Sequence, residues 1–493
     1  MTRKLRMWIP RSPAQARIFG ILLASLFLLA WQPCLVGAEY FVSKQGDDAS
    51  DGLTRGSAFS TIQRGVEALA PGDVLTIGPG EYFESVRREG LGSPEVQTVI
   101  RAEVPGTAIV RGDVQVSGFE KVDGGRFLYA LPFESPPHAV LEHDTLRILH
   151  ALPDPAGVET APGSFHHNQD SGKLSFAPSD LQSALGRLYS VTKLQGSGLF
   201  LDKPVRVLVD GLVFTGFAGQ PTGVGQVRPR SWGIALIEPT DCGIRNVTAF
   251  LNYGGIGLEN GSGNVVDGCL AFANHSHNIL VFGGPENRDN VIENSLAYRS
   301  ASGMHFYGRI HGPLTLRNNI AWGHDLDFSN KSGSDTAKEF GRVEACVGLS
   351  DFQAQGLERS IMGGVNEYDR RLEAPEGNIL FQREADLDPG VEFVDPWNLD
   401  FRLQAGSRFL GKDGKPDRGP HPFERNVFFV GSGGLDENDG LSVRSAWKSL
   451  PAALKKLRPG DTLYLLGGVY DGDVALTLSG EKDKSVRIRA RGK

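Results

Sequence analysis

Ile244-Arg-Asn-Val-Thr-Ala-Phe250, Val266-Asp-Gly-Cys-Leu-Ala-Phe272, Ile292-Glu-Asn-Ser-Leu-Ala-Tyr298 and Leu316-Arg-Asn-Asn-Ile-Ala-Trp322 repeat one seven-residue pattern. It reads apolar, charged, Asn or Gly, two variable positions, small, aromatic. Successive aromatics lie 22, 26 and 24 residues apart. Between the copies runs a second strand signal: Ile234-Ala-Leu236, Ile256-Gly-Leu258, Ile279-Leu-Val281 and Met304-His-Phe306. Each repeat thus carries at least two period-2 strands joined by Gly- and Asn-rich turns. A period in the low twenties built from strands and turns predicts stacked coils, each burying its face on the next. The column Asn246, Gly268, Asn294, Asn318 suits a tight turn with left-handed backbone. The Leu-x-Leu signature of leucine-rich repeats is absent, and helical repeats need longer apolar faces. A parallel β-helix remains.

These repeats resemble those of the pectate-lyase-like superfamily of right-handed parallel β-helices. Tyr40-Phe-Val-Ser-Lys-Gln-Gly46, Asp51-Gly-Leu53 and Pro71-Gly-Asp73 are similar to the opening module of many exported members. The resemblance implies a strand and a short helix capping the solenoid. Phe59, Ile62, Val66 and Leu69 share one helical face, and Ala70-Pro71-Gly72 stops that helix. Phe393-Val-Asp-Pro396, Asp400-Phe-Arg-Leu403 and Gly406-Ser407 resemble the family's terminal coil. The expected architecture is all-β: a right-handed parallel β-helix over 39–423 with an N-terminal capping helix and a small β insertion at about 126–200. Val207-Leu-Val-Asp-Gly-Leu-Val-Phe214 restarts the coils. Residues 40–82 then align without a gap on 428–470, at a constant offset of 388. The segment 424–493 is therefore expected to begin a second β-helix. A cap with one coil cannot bury a core alone, so it is read either as the front of a longer protein, which is favoured, or as a tail that docks on something.

The amino terminus carries Arg3, Lys4, Arg6, Arg11 and Arg17, then an apolar run from Ile18 to Trp31, then Val36-Gly37-Ala38. That order predicts a secretory signal peptide over residues 1–38, because the run is too short to span a bilayer. No later stretch approaches a membrane span, so a secreted, periplasmic or cell-surface location is expected. Removing five basic residues and no acids takes the net charge from −7 to −12, which argues against nucleic acid as a partner. Cys242, Cys269 and Cys346 remain, an odd and sparse set that makes no disulfide framework.

The resemblance implies business with polysaccharide, while the fold hosts lyases, hydrolases, epimerases and adhesive modules alike. Alternation turns Gly257, Glu259, Leu280, Phe282, His305 and Tyr307 outward on neighbouring coils. His277 precedes its strand at the same edge, and Arg309 and His311 follow Tyr307. Such a set could run β-elimination on an acidic glycan, with His305 or His277 as base, Tyr307 as acid and Arg309 facing the carboxylate. Glu259, Asn260, His275 and His311 are expected to contact substrate, with Asn274 nearby. The bland alternative keeps these residues as solvated sheet and turn positions. Calcium is a possible cofactor through Glu259 with Asp267 or Glu293, although their spacing forms no recognised ligand set. His275-x-His277 lacks a third metal ligand. Asp325-Leu-Asp327 is the local candidate for a hydrolase carboxylate pair. A non-catalytic glycan-binding or cell-surface solenoid is the other reading.

Overall fold

Short strands of three to seven residues recur three to a coil, and each pairs in parallel with its counterpart one coil away. The computed structural model describes residues 37–219, 231–284, 286–298, 300, 302–308, 314–317, 319–322, 326–331, 343–344, 347–349, 379–381, 389–395, 400–407, 409–410, 423–470, 479–481 and 484–491. The signal-peptide expectation, Arg309, His311, Asn318, Asp325 and Cys346 lie outside them.

Three parallel sheets form the faces of the solenoid. The first has nine strands, from Glu39–Val42 through Val74–Ile77, Thr98–Ala102, Val207–Asp210, Gly243–Arg245, Val265–Asp267, Asn290–Glu293 and Leu314–Arg317 to Val343–Glu344. The second, also of nine, includes Thr248–Phe250, Leu270–Phe272 and Leu296–Tyr298. The third has seven, among them Trp232–Ile237, Gly254–Glu259, His277–Gly283, Ser302–Gly308 and Leu326–Lys331. Register keeps like on like: Ile244, Val266, Ile292 and Leu316 are successive ladder partners, as are Ala249, Ala271, Ala297 and Ala321. All eight are buried in one core that runs the length of the coils. Three of the four residues of the Asn/Gly column adopt left-handed backbone, with φ of 52° at Asn246, 63° at Gly268 and 50° at Asn294.

Turns inside the core are held by side-chain amides in place of ladder bonds. Asn252 Oδ1 accepts from Phe217 N, and its Nδ2 donates to Phe214 O, each at 3.1 Å. Asn274 repeats the device one coil on, accepting from Asn252 N at 3.0 Å and donating to Ala249 O at 3.0 Å. Asn264 and Asn290 do the same at another corner. All four are buried, where a backbone group without a partner costs about 1–3 kcal/mol. Cys242 and Cys269 are buried free thiols whose pKa burial pushes up to about 11 and about 12.

The opening module closes one end. Helix α1, Ile62–Ala68, is capped by the Thr61 hydroxyl, and Phe59, Ile62, Val66 and Leu69 enter the core. The insertion leaves the second coil after Ala108–Arg111. Its first and last strands, Asp113–Val116 and Tyr189–Thr192, lie antiparallel side by side. The coils resume at Leu199–Asp202, which pairs with Val86–Glu89, one strand before the restart expected at Val207. Leu199–Asp202 is four residues long, too short for periodicity to separate it from the loops before it. Ala139 and Leu141 of the insertion pack on Leu251, Phe272 and Ala273 of the second face.

The tail reproduces the opening module in detail. Val427–Val430, Thr462–Leu465 and Arg487–Ala490 pair in the register of their counterparts 388 residues earlier. Asp436 accepts from Lys448 N, Ser449 N and Ser449 Oγ, as Asp48 does from Ser60 N, Thr61 N and Thr61 Oγ1. Ile488, counterpart of the fully buried Ile100, is 42% exposed. The outer sides of the two modules differ. Glu39 and Thr76 hydrogen-bond to each other, and Val427 and Tyr464 replace them in the tail. There they pack with Phe429 and Ala446 on Val394. Phe393–Asp395 and Asp400–Leu403 form an antiparallel pair in place of a further parallel coil, and Tyr464 donates to Asp400 at 2.7 Å. Among the described residues no helix is long and apolar enough to cross a membrane.

Candidate functional site

The outer side of the third face depends on one corner. Ile279 and Val281 point into the core, and Leu280 and Phe282 point out, as alternation requires. Asn278 is also turned inward, hydrogen-bonding Asn274 at 2.8 Å and Tyr298 O at 2.9 Å. Two successive inward residues break the alternation, and His277 emerges on the outside as the first residue of the strand. There it stacks on Trp232 from two coils away, with centroids 6.4 Å apart and planes at 26°.

Trp232 lies flat on glycine. A Cβ on Gly254 would stand 2.5 Å from Trp232 Cδ2, and one on Gly257 would stand 2.9 Å from Cε3. Only two bare backbone positions leave room for the indole. The ring packs with Ala235 and Leu280, and Phe200 and Phe282 flank them. The Arg87 guanidinium sits 5.0 Å over Phe200. Outward here does not mean solvated: Glu259 and Leu280 are each 7% exposed, and Trp232 is 3%. The alternative of solvated sheet positions does not hold at Glu259 and Leu280, because the aromatic cluster covers the sheet there.

His275 lies beside this cluster, on the turn before His277. Its ring is 5.5 Å from Tyr253 and 6.3 Å from His150. Burial first, and the His150 charge second, hold its pKa below the usual histidine range. His150 comes from the insertion, 125 residues upstream. No local pattern ties it to His275, and only the fold does. Asn260 has a left-handed backbone (φ 55°), and its Oδ1 accepts from Gly284 N at 2.7 Å. Its amide locks one turn to the next, as Asn274 does one corner away.

His305 and Tyr307 stand beside Leu280 and Phe282 in the ladder, and Ser329 and Lys331 stand beside them on the next coil. Lys331 gives no signal in the sequence because the last strand lacks the apolar alternation of its predecessors. The calcium reading is corrected for its proposed ligands. Asp267 and Glu293 belong to the first face and Glu259 to the third. Asp267 accepts from Asn294 at 2.8 Å, and Glu293 is paired with Arg317. Among the described residues no three of His, Cys, Asp and Glu gather as metal ligands.

A Ser-His-Asp grouping in the insertion is likewise silent in the sequence. Ser190 Oγ is 2.7 Å from His143 Nε2, and Asp113 Oδ2 is 3.8 Å from the same nitrogen. A nucleophilic relay needs the acid on the opposite ring nitrogen and an accessible hydroxyl. Ser190 is fully buried, and Asp113 is held by both ends of Arg111. The group is a buried brace. The neighbouring carboxylate of Glu142 braces likewise, accepting from Tyr189 at 2.6 Å and Arg187 at 3.1 Å.

The family model described as "Right handed beta helix region" matches residues 190–338. No curated protein matches the chain. Among solved structures, a "Glycoside hydrolase" aligns at 11% identity over 92% of this chain and 95% of its own, with a TM-score of 0.41. Pectate lyase Pel9A aligns at 13% identity over 78% and 96%, with a TM-score of 0.35. The GH136 lacto-N-biosidase from Eubacterium ramulus aligns at 12% over 76% and 72%, with a TM-score of 0.28. Three stacked parallel ladders and the matched repeat region show that this chain folds as a right-handed parallel β-helix.

Proposed function

We propose that the protein is carbohydrate-active, exported by its amino-terminal segment, and that it engages polysaccharide along the outer side of the third face. The favoured reaction is β-elimination on an acidic glycan. One observation carries it: the ladder register sets the positions of His305, Tyr307 and Lys331 side by side, on the coils next to the Trp232–His277 stack. Neighbouring strands are about 4.8 Å apart and alternate residues about 7 Å, the dimensions of one sugar ring. In the elimination, a base removes the proton on the carbon beside the carboxylate. That C–H pair becomes the new double bond, the C–O bond to the leaving sugar breaks, and an acid protonates the departing oxygen. His305 or His277 suits the base and Tyr307 the acid. Lys331 joins Arg309 as a cation for the carboxylate. Glu259 and His275 border this stretch.

The partly exposed rings of Phe200, His277 and Phe282 around the buried Trp232 favour a second reading, a glycan-binding surface without chemistry. Incubating the protein with alginate, pectate and glycosaminoglycans, with and without calcium, separates the two. Elimination gives absorbance from unsaturated ends that His305→Ala and Lys331→Met each remove. Glycan retention without that absorbance sinks the lyase and keeps the binder. New reducing ends without absorbance indicate hydrolysis. Neither turnover nor retention on any polymer refutes both readings.

A further inference from the structure

The outer side of the first face carries two parallel columns. One is aliphatic over most of its length: Val74, Val99, Leu208, Gly243, Val265 and Val291 are successive ladder partners. The five with aliphatic side chains are only partly buried. Beside it, two residues along each strand, runs a charged column of Arg101, Asp210, Arg245, Asp267, Glu293 and Arg317, again in consecutive register. The substantial contacts of strands Val207–Asp210 to Leu314–Arg317 with described elements are with their ladder neighbours alone. At about 4.8 Å per strand, the columns run for roughly 25 Å.

The order of charges has a symmetry. Taken outward from Asp267, Arg245 is matched by Glu293, and Asp210 by Arg317. Each pair is opposite in sign and equidistant from the centre in coils. A two-fold axis parallel to the strands at the level of Asp267 reverses the coil order and keeps each column on itself. Arg245 then meets Glu293 of a second copy, Asp210 meets Arg317, and aliphatic meets aliphatic. The two Asp267 carboxylates meet at the axis, each with its own Arg245 at 3.5 Å to offset the repulsion. An isologous contact requires such self-complementarity.

We propose that the first face is the contact surface of a two-fold dimer in which the two solenoids run antiparallel. The face is narrow, which puts the contact at the small end of protein interfaces and makes association concentration-dependent. Sedimentation equilibrium on the purified chain at low salt is expected to show dimer that dissociates as salt is raised, since exposed charges are screened. Arg245→Glu and Glu293→Arg each set like charges opposite in both halves of the contact. Each variant alone should weaken the dimer roughly tenfold or more. Mixed together they restore opposite pairs in both halves, so the mixture should dimerise again while each component stays monomeric. Circular dichroism confirms that each variant is folded. A monomeric wild type at the highest soluble concentration, or a mixture no more associated than its parts, overturns the proposal.

Discussion

Gly254→Ala tests the bed on which Trp232 lies. The added Cβ would stand 2.5 Å from both Trp232 Cδ2 and Cε2, where carbon pairs normally rest at about 3.5–4.0 Å. The ring must shift by about 1 Å, and it is wedged among Ala235, Leu280 and His277. Overpacking of this kind costs about 1–3 kcal/mol. Alanine recovers about 0.4–1 kcal/mol by restricting the unfolded chain, which leaves a net loss of up to about 2.6 kcal/mol, centred on about 1.3 kcal/mol. Gly254 is not in the left-handed region, so the loss reports the ring and not the backbone. Gly284→Ala is the control: its Cβ would find nothing nearer than Asn260 Oδ1 at 3.7 Å, and it should be neutral or slightly stabilising. Urea unfolding gives the energies, and near-ultraviolet dichroism with indole emission reports the ring. If the two variants are equally stable and Gly254→Ala leaves both spectra unchanged, the glycine-bed argument is wrong. Glycan retention, if the third face is the contact surface, should fall with Gly254→Ala and not with Gly284→Ala.

Asn252→Leu removes the amide that satisfies Phe217 N and Phe214 O. Two buried backbone groups at about 1–3 kcal/mol each give a loss of roughly 2–6 kcal/mol. A loss below about 1 kcal/mol in denaturant titration would show that water or the backbone replaces the amide. His275 has a folded pKa below its unfolded value, by burial and by His150. The unfolded chain then binds more protons below about pH 6.5, and stability should fall as pH drops through that range. His150→Ala should raise the His275 pKa and lessen the fall. An imidazole titration by NMR that is indifferent to His150 would refute the coupling.

Legibility is uneven, for physical reasons. A solenoid writes its core into the sequence many times, so Ile244, Val266, Ile292 and Leu316 stand out as one column from the repeat alone. The same repetition exposes the second module through its offset of 388. At Leu280 and Phe282 of the third face, alternation gives the direction and does not give the burial. It tells which way a side chain points, and it is silent on what covers it. Asn278 shows a second limit, since one buried amide inverts the alternation and carries His277 outside. Asn260 and Asn274 resemble ligands because their amides are chemically suited to sugars. Their geometry commits them to the backbone.

Short-range pattern by itself determined the coil, its period, the core columns, the left-handed turns and the capping helix, because each depends on residues a few positions apart or on one motif repeated. Tertiary structure alone decided which distant residues become neighbours. Trp232 on Gly254 and Gly257, His150 beside His275, Lys331 beside Tyr307 and Tyr464 on Asp400 all depend on coil register or on the packing of an insertion. Register is a sum over every turn between two residues, and no single stretch of sequence contains it.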